Sequence, residues 1–441
     1  MADLTKYELQ AMLANNAPLS FTIHPDESPL SDAEIKTALS KALAERGDLR
    51  KVLIVPPDIT RLNAYAGPIV GMLCELLPNV EIDVLPALGT HVPMTDEEIA
   101  TMFPGAKGKN FLVHNWRTGI TKLGEVPADF VSSVCEGRWN EAVDVETSNY
   151  VIDPSYDLVI SIGQVVPHEV VGMANFNKNI MVGCGGSSMI NSSHYIGALY
   201  GMERMMGRDL SPVHKIFDYA EQHFLMHVPL MYVLTVTTTT PEDIVEVRSL
   251  SIGRDREVFR RSIEISQKHN LQFLDVPIRK AVVYLRPDEF RTTWLGNKAI
   301  YRTRMAMADD GELIIIGPGI RGFGEDEGND VLIAKYGYVG YKRVGELVAE
   351  NQDLRDSLGV AAHLIHGSSE GRFRITYAPG GLTREQVESV NFGYMPYEEA
   401  IALYDPAKLK DGFNIVNGEE VFYVSNPALG LWAERDRFYN T

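Results

Sequence analysis

His168, Lys178 and His194 follow one another at intervals of ten and sixteen residues, with the run Gly183-Cys184-Gly185-Gly186-Ser187-Ser188 threaded between the last two. A neutral imidazole can ligate a metal or carry a proton, and a lysine amine can form a covalent tether to a cofactor. His91, in the sequence Leu88-Gly89-Thr90-His91, and the segment Asp58-Ile59-Thr60-Arg61 add a second imidazole, a carboxylate and a guanidinium. Taken alone, a Gly-rich loop with a few polar side chains more often satisfies them internally than builds a site. Two further patterns are weaker. Gly317, Gly319 and Gly322 follow an apolar run as in a dinucleotide-binding loop, but the acidic stretch Glu325-Asp326-Glu327 opposes a pyrophosphate there. His223 and His227 have the i, i+4 spacing of zinc ligands on a helix, yet no glutamate follows His223 to act as a base.

Such residues need elements that bring them together. Strand and helix signals alternate along the chain, which predicts α/β layers. Ser31 with Glu34 three positions on reads as a capping box opening a helix that runs to about Glu45. Lys51–Val55 is an apolar strand stopped by Pro56-Pro57, which leaves Asp58 to Arg61 in the loop at its carboxyl end. Residues 82–88 repeat the pattern and deliver His91, with a helix expected from Thr95 to Thr101; residues 157–163 repeat it again and lead into His168. Ligands of open α/β sheets bind at the carboxyl ends of strands, so three loops leaving three strands in the same sense are expected to converge on one rim.

The second half restarts after a polar helix at 254–269, with strands at 280–285 and 312–316 separated by a helix containing Lys298. The expected organisation is two α/β domains with largely parallel sheets and an active-site cleft between them. Residues 1–272 would form a catalytic and cofactor-binding domain and 273–397 a second domain. The segment 398–441, with Tyr404, Phe413, Phe422 and Tyr423, would pack back on the first domain.

Composition sets the outer limits. A chain of 441 residues, 45% hydrophobic and 23% charged, can bury the cores of two domains. Its net charge of −18 argues against a nucleic-acid or anionic-membrane surface. Cys74, Cys135 and Cys184 lack paired spacing, which suits a reducing compartment and points to the cytoplasm. No signal-peptide pattern or apolar run of spanning length is present in the sequence.

The motifs, in this order and at these intervals, make the chain resemble the nickel-dependent lactate racemase family over roughly residues 10–420. The resemblance implies a racemase or epimerase of 2-hydroxy acids that uses nickel held in pyridinium-3,5-bisthiocarboxylic acid mononucleotide, the nickel-pincer nucleotide. A hydride route suits that task, because the carbon-bound hydrogen beside a carboxylate is barely acidic. It demands an electrophilic hydride acceptor, with a base on each side to serve two enantiomers. By the same resemblance Lys178 would tether the cofactor, His194 would ligate nickel, and His91 and His168 would be the acid/base pair. Asp58, Thr60 and Arg61 would lie in the segment that holds the nucleotide. The family's Tyr-Gln-x-x-Lys segment aligns with Trp294-Leu295-Gly296-Asn297-Lys298, so Lys298 and Arg61 would face the substrate carboxylate, with Trp294 lining the pocket. The implied partners are a small 2-hydroxy acid and the proteins that make the cofactor. A non-catalytic cofactor carrier is the alternative, since Lys178 and His194 would suffice for it.

The chain departs from the family pattern at several points. Asn175-Phe176-Asn177-Lys178 stands for Gly-Gly-x-Lys, Val182 for a proline, Val92 for the arginine after His91, Ser193 for the asparagine before His194, and Trp294-Leu295 for Tyr-Gln. Fewer polar groups and a new indole predict a larger or more apolar substrate than lactate, and rejection of a second carboxylate.

Overall fold

Val52, Leu53, Ile54 and Val55 are completely buried, and a strand apolar on both faces requires cover on both. In the computed structural model, which describes residues 6–240 and 242–440, this strand lies inside a seven-stranded sheet. The spatial order is Ser20–Thr22, Val245–Gly253, Leu230–Thr239, Leu158–Gln164, Lys51–Val55, Glu81–Val84 and Asn110–Phe111. The last five run parallel, and the first two close one edge antiparallel. Helices Asp32–Ala44 and Ala66–Leu76 cover one face, packing Ile35, Leu39, Ile69 and Leu73 on Val52, Ile54, Val84 and Ile160. The capping box at Ser31 is present, with the Ser31 amide donating to Glu34 at 2.9 Å, and a second box at Thr95 and Glu98 opens Asp96–Met102.

The chain divides into two compact units, residues 1–193 with 207–270, and residues 194–206 with 271–441. The second unit has its own six-stranded sheet in the order Gly393–Tyr394, Arg374–Pro379, Met307–Gly317, Ile278–Tyr284, Glu419–Val424 and Gly412–Val416. All but the last strand are parallel. The fold is therefore α/β with largely parallel sheets. The segment 398–441, expected against the first domain, belongs to the second unit instead. Its strand Glu419–Val424 pairs with Ile278–Tyr284, and Val421, Tyr423 and Tyr404 enter that unit's core with Val282 and Ile314. Among the described residues, no helix is long and apolar enough to cross a membrane.

Candidate functional site

Strands Lys51–Val55 and Glu81–Val84 lie side by side, and Pro57 and Ala87 continue their pairing past the sheet. The segments carrying Asp58 and His91 therefore leave the rim together. Asp58 caps the short 3-10 helix Ile59–Ala64, its Oδ1 accepting from the Thr60 amide at 3.2 Å and the Thr60 hydroxyl at 2.6 Å. Its Oδ2 lies 2.6 Å from His91 Nδ1. Burial alone would raise the Asp58 carboxyl, but the bonds from His91 and Thr60 and the nearby Arg61 charge outweigh it and hold it below the usual range. A carboxylate only accepts, so His91 Nδ1 carries the hydrogen and Nε2 keeps its lone pair. With 55% of its side chain exposed, the ring offers that nitrogen to whatever binds at the rim.

Lys178 lies in the short helix Asn177–Met181. On one side Asn177 Nδ2 donates to Asp218 at 2.6 Å. On the other, Asn179 Nδ2 donates to the Val55 carbonyl at 3.1 Å and the Ser161 hydroxyl at 3.0 Å, tying the helix to the ends of two rim strands. Part of the Lys178 side chain reaches the surface, yet protein atoms crowd it enough that desolvation, then the Arg61 charge, lowers its pKa to about 8 against the opposing pull of Glu169 and Asp58. Neither Lys178 nor Arg61 has an ion-pair partner among the described residues.

The Gly-rich run after Lys178 is held carbonyl by carbonyl. Gly183 accepts from the Gly89 amide at 2.8 Å, Cys184 from the Ser148 amide at 2.7 Å, and Gly185 from buried His114 Nε2 at 3.0 Å. The first of these bonds staples the His91 loop to the run. Glycine is needed because a Cβ on Gly183 would meet Ala87 Cβ at 2.7 Å, and one on Gly185 would meet the Met181 carbonyl at 1.8 Å. Glu146 accepts from the Ser188 amide at 3.0 Å at the start of helix Ser187–Tyr200, which carries His194.

His168 is buried on Pro167–His168, and its Nδ1 accepts from the Val170 amide at 3.1 Å. The neutral ring thus bears its hydrogen on Nε2, the opposite tautomer to His91. The structure brings Asp58, Thr60, His91 and Lys178 to neighbouring strand ends of the first unit, with Arg61 close enough to act on Lys178. His194, Trp294 and Lys298 belong to the second unit. There, the Trp294 indole stacks on His363 at 4.2 Å, and the Lys298 amine lies 5.6 Å from the Phe290 ring centre. His363 is buried between the Tyr301 hydroxyl, 3.0 Å from Nδ1, and the Tyr338 hydroxyl, 2.9 Å from Nε2.

The weaker patterns resolve as structure. Asp330 Oδ1 accepts from the Phe323 and Gly324 amides at 2.6 and 3.0 Å, so the second unit's Gly-rich loop is filled by its own carboxylate. Helix Pro212–Phe224 ends before His227, and His223 bonds the Tyr219 carbonyl at 2.8 Å. Sequence reasoning missed Asp58 as the partner of His91, and also Asn177, Asn179 and His363. Only the first left a signal, an acid and a histidine at the ends of strands that become neighbours.

Residues 26–206 match the model of the lactate racemase N-terminal domain. The chain therefore carries a lactate racemase N-terminal domain. Its fold matches that of a Thermotoga maritima protein from a structural genomics programme, with a TM-score of 0.77 and 24% identity over 92% of this chain and 99% of the other. It also matches the lactate racemase apoprotein of Thermoanaerobacterium thermosaccharolyticum, with a TM-score of 0.68 and 15% identity over 94% and 97% of the two chains. No curated protein matches this chain in sequence.

Proposed function

We propose that the chain is a racemase or epimerase of 2-hydroxy acids that works with a nickel-pincer nucleotide joined to Lys178. The observation that carries this reading is the His91–Asp58 pair at 2.6 Å, on the same strand rim as a lysine amine lowered to about 8. Among the described residues, no group of three or more His, Cys, Asp or Glu side chains could hold a metal. A metal here needs donors from a cofactor, which a pincer nucleotide brings, leaving His194 to complete the set with an imidazole suited to nickel. The crowded Lys178 amine, lowered by desolvation and by the Arg61 charge, fits a covalent link that removes its charge, and Arg61 fits a phosphate or carboxylate. The residues present therefore fit the group, which when bound supplies a hydride acceptor.

The chain's own part is binding and proton transfer. His91 takes the substrate hydroxyl proton at Nε2, and Asp58 stabilises the imidazolium that forms. His168 serves the opposite enantiomer, and its ring must first turn Nδ1 off the Val170 amide, because a protonated ring would set two N–H groups against each other. Lys298 and Arg61 neutralise the carboxylate. Trp294 offers an apolar wall, one face of which already lies on His363. Cofactor-making proteins would be its partners, in the cytoplasm.

The test uses protein made in cells that synthesise the cofactor. About one nickel per chain and a nucleotide-sized mass on the Lys178 peptide are expected, with the mass lost in Lys178→Ala and nickel lowered in His194→Ala. Single enantiomers of lactate, 2-hydroxybutyrate, phenyllactate and malate are then followed for loss of optical purity, with the apolar substrates favoured. No racemisation by nickel-loaded protein would transfer the assignment to the carrier.

A further inference from the structure

Two residues before Lys178, the backbone does something that side chains normally forbid. Asn175 and Phe176 have φ of 75° and 57°, the left-handed region that glycine enters freely and a bulky residue rarely does. Such conformations persist only where the surroundings over-determine them, and they gather at functional sites. Here each consecutive residue has its own restraint. Asn175 Oδ1 accepts from the Phe176 amide at 2.9 Å. Its amide group fills a hole left by Gly163, where a Cβ would fall 1.5 Å from Asn175 Nδ2. The Phe176 ring packs 4.4 Å from Tyr232 and stacks on Phe259 at 5.1 Å with 12° between the planes.

Asn177 extends the restraint into a charged chain. Its partner Asp218 is itself held by Arg256 Nε at 2.8 Å, and Arg256 also donates to Asp209 at 3.0 Å. Asn177 and Asp218 are at the level of the turn, whereas Asn179, beyond the lysine, reaches Val55 and Ser161 on the sheet. Lys178 is thus clamped from both directions along the chain.

We propose that Asn175, Phe176 and Asn177 are positioning residues that hold Lys178 in one orientation, replacing the backbone freedom of glycine with side-chain restraint. The charged groups acting on the amine so held are Arg61, Glu169 and Asp58. The proposal gives purpose to the reading of Lys178 as a tether, and rests on that reading for its function but not for its geometry.

The two can be separated by labelling the protein without cofactor. Competitive acetylation as a function of pH, read as modification of the Lys178 peptide by mass spectrometry, gives the amine's titration midpoint. The parent is expected at about 8. Asn175→Val, whose branched Cβ resists positive φ, and Asn177→Ala, which cuts the bond to Asp218, should each move that midpoint toward the ordinary lysine value, lowering the deprotonated fraction at neutral pH by roughly tenfold. A purely structural role would lower melting temperature in these variants with no change of midpoint. Parent-like midpoints in folded Asn175→Val and Asn177→Ala would overturn the proposal; should Asn175→Val fail to fold, Asn177→Ala carries the test alone. Shifted midpoints together with no nucleotide adduct on the parent would sink the tether and leave the positioning device standing.

Discussion

Asp58 illustrates how a residue's type can be visible while its task is not. As a sequence feature it sits beside Thr60 and Arg61 and is drawn, by resemblance, to the nucleotide. In the fold it bonds His91 across 33 positions at 2.6 Å. Nothing local encodes that meeting, because it follows from the parallel pairing of two strands and the bridge between Pro57 and Ala87. The expected consequence is testable. Asp58→Asn keeps an oxygen for the Thr60 contacts but removes the charge that fixes the His91 tautomer and supports its imidazolium. Turnover should fall by roughly 10²- to 10⁴-fold, the range spanned by loss of a positioned acid/base and loss of a triad carboxylate. Turnover is expressed per chain carrying nickel and the Lys178 adduct, because the Asp58 charge also acts on the Lys178 amine. Unchanged turnover in the loaded variant would return Asp58 to a capping role.

Elements were legible where their signal is continuous. The apolar strand Lys51–Val55 and the boxes that cap Asp32–Ala44 and Asp96–Met102 are written in adjacent residues, so pattern and structure agree within a residue or two. The expected strands at 157–163 and 280–285 emerge as Leu158–Gln164 and Ile278–Tyr284. The membership of residues 194–206 was not legible. Helix Ser187–Tyr200 reads as one element, yet from His194 onward it belongs with the second unit. Glu203 explains why: it accepts from Arg304 Nε at 3.1 Å and Arg372 at 2.6 Å, residues 101 and 169 positions away. The Arg304 side chain is only 4% exposed, so its charge depends on that partner. Glu203→Ala should therefore destabilise the protein by about 3 kcal/mol, the cost of leaving a buried charge unmatched, measured by urea unfolding. A loss below about 1 kcal/mol would mean that the pair behaves like an exposed ion pair.

At the scale of the whole molecule, each unit has its own sheet and core, so conditions that burden one need not burden the other. Acid loads both through buried histidines, His114 and His214 in the first unit, whose pKa values burial lowers, and His363 in the second. Buried in the second unit against Trp294, Tyr301 and Tyr338, its pKa is pushed down to about 3, by burial first and by neighbouring His366 second. An unfolded histidine titrates near 6.5. Between those values the unfolded chain holds a proton that the folded unit refuses, so stability falls as pH drops below about 6.5 and continues to fall toward 3. The full effect is on the order of a few kcal/mol. The surface acid Asp353 of the same unit, held to about 2 by Lys335 and Tyr336, keeps its ion pair over most of that window and does not produce the same loss. The melting temperature should then fall as pH drops below about 6.5, and because Trp294 stacks on His363, indole emission should report the loss carried by the second unit. His363→Gln, which does not titrate, is expected to be less stable than the parent at neutral pH but to lose less between pH 6.5 and 3. If parent and variant lose stability in parallel over that range, acid acts elsewhere and His363 is not its sensor.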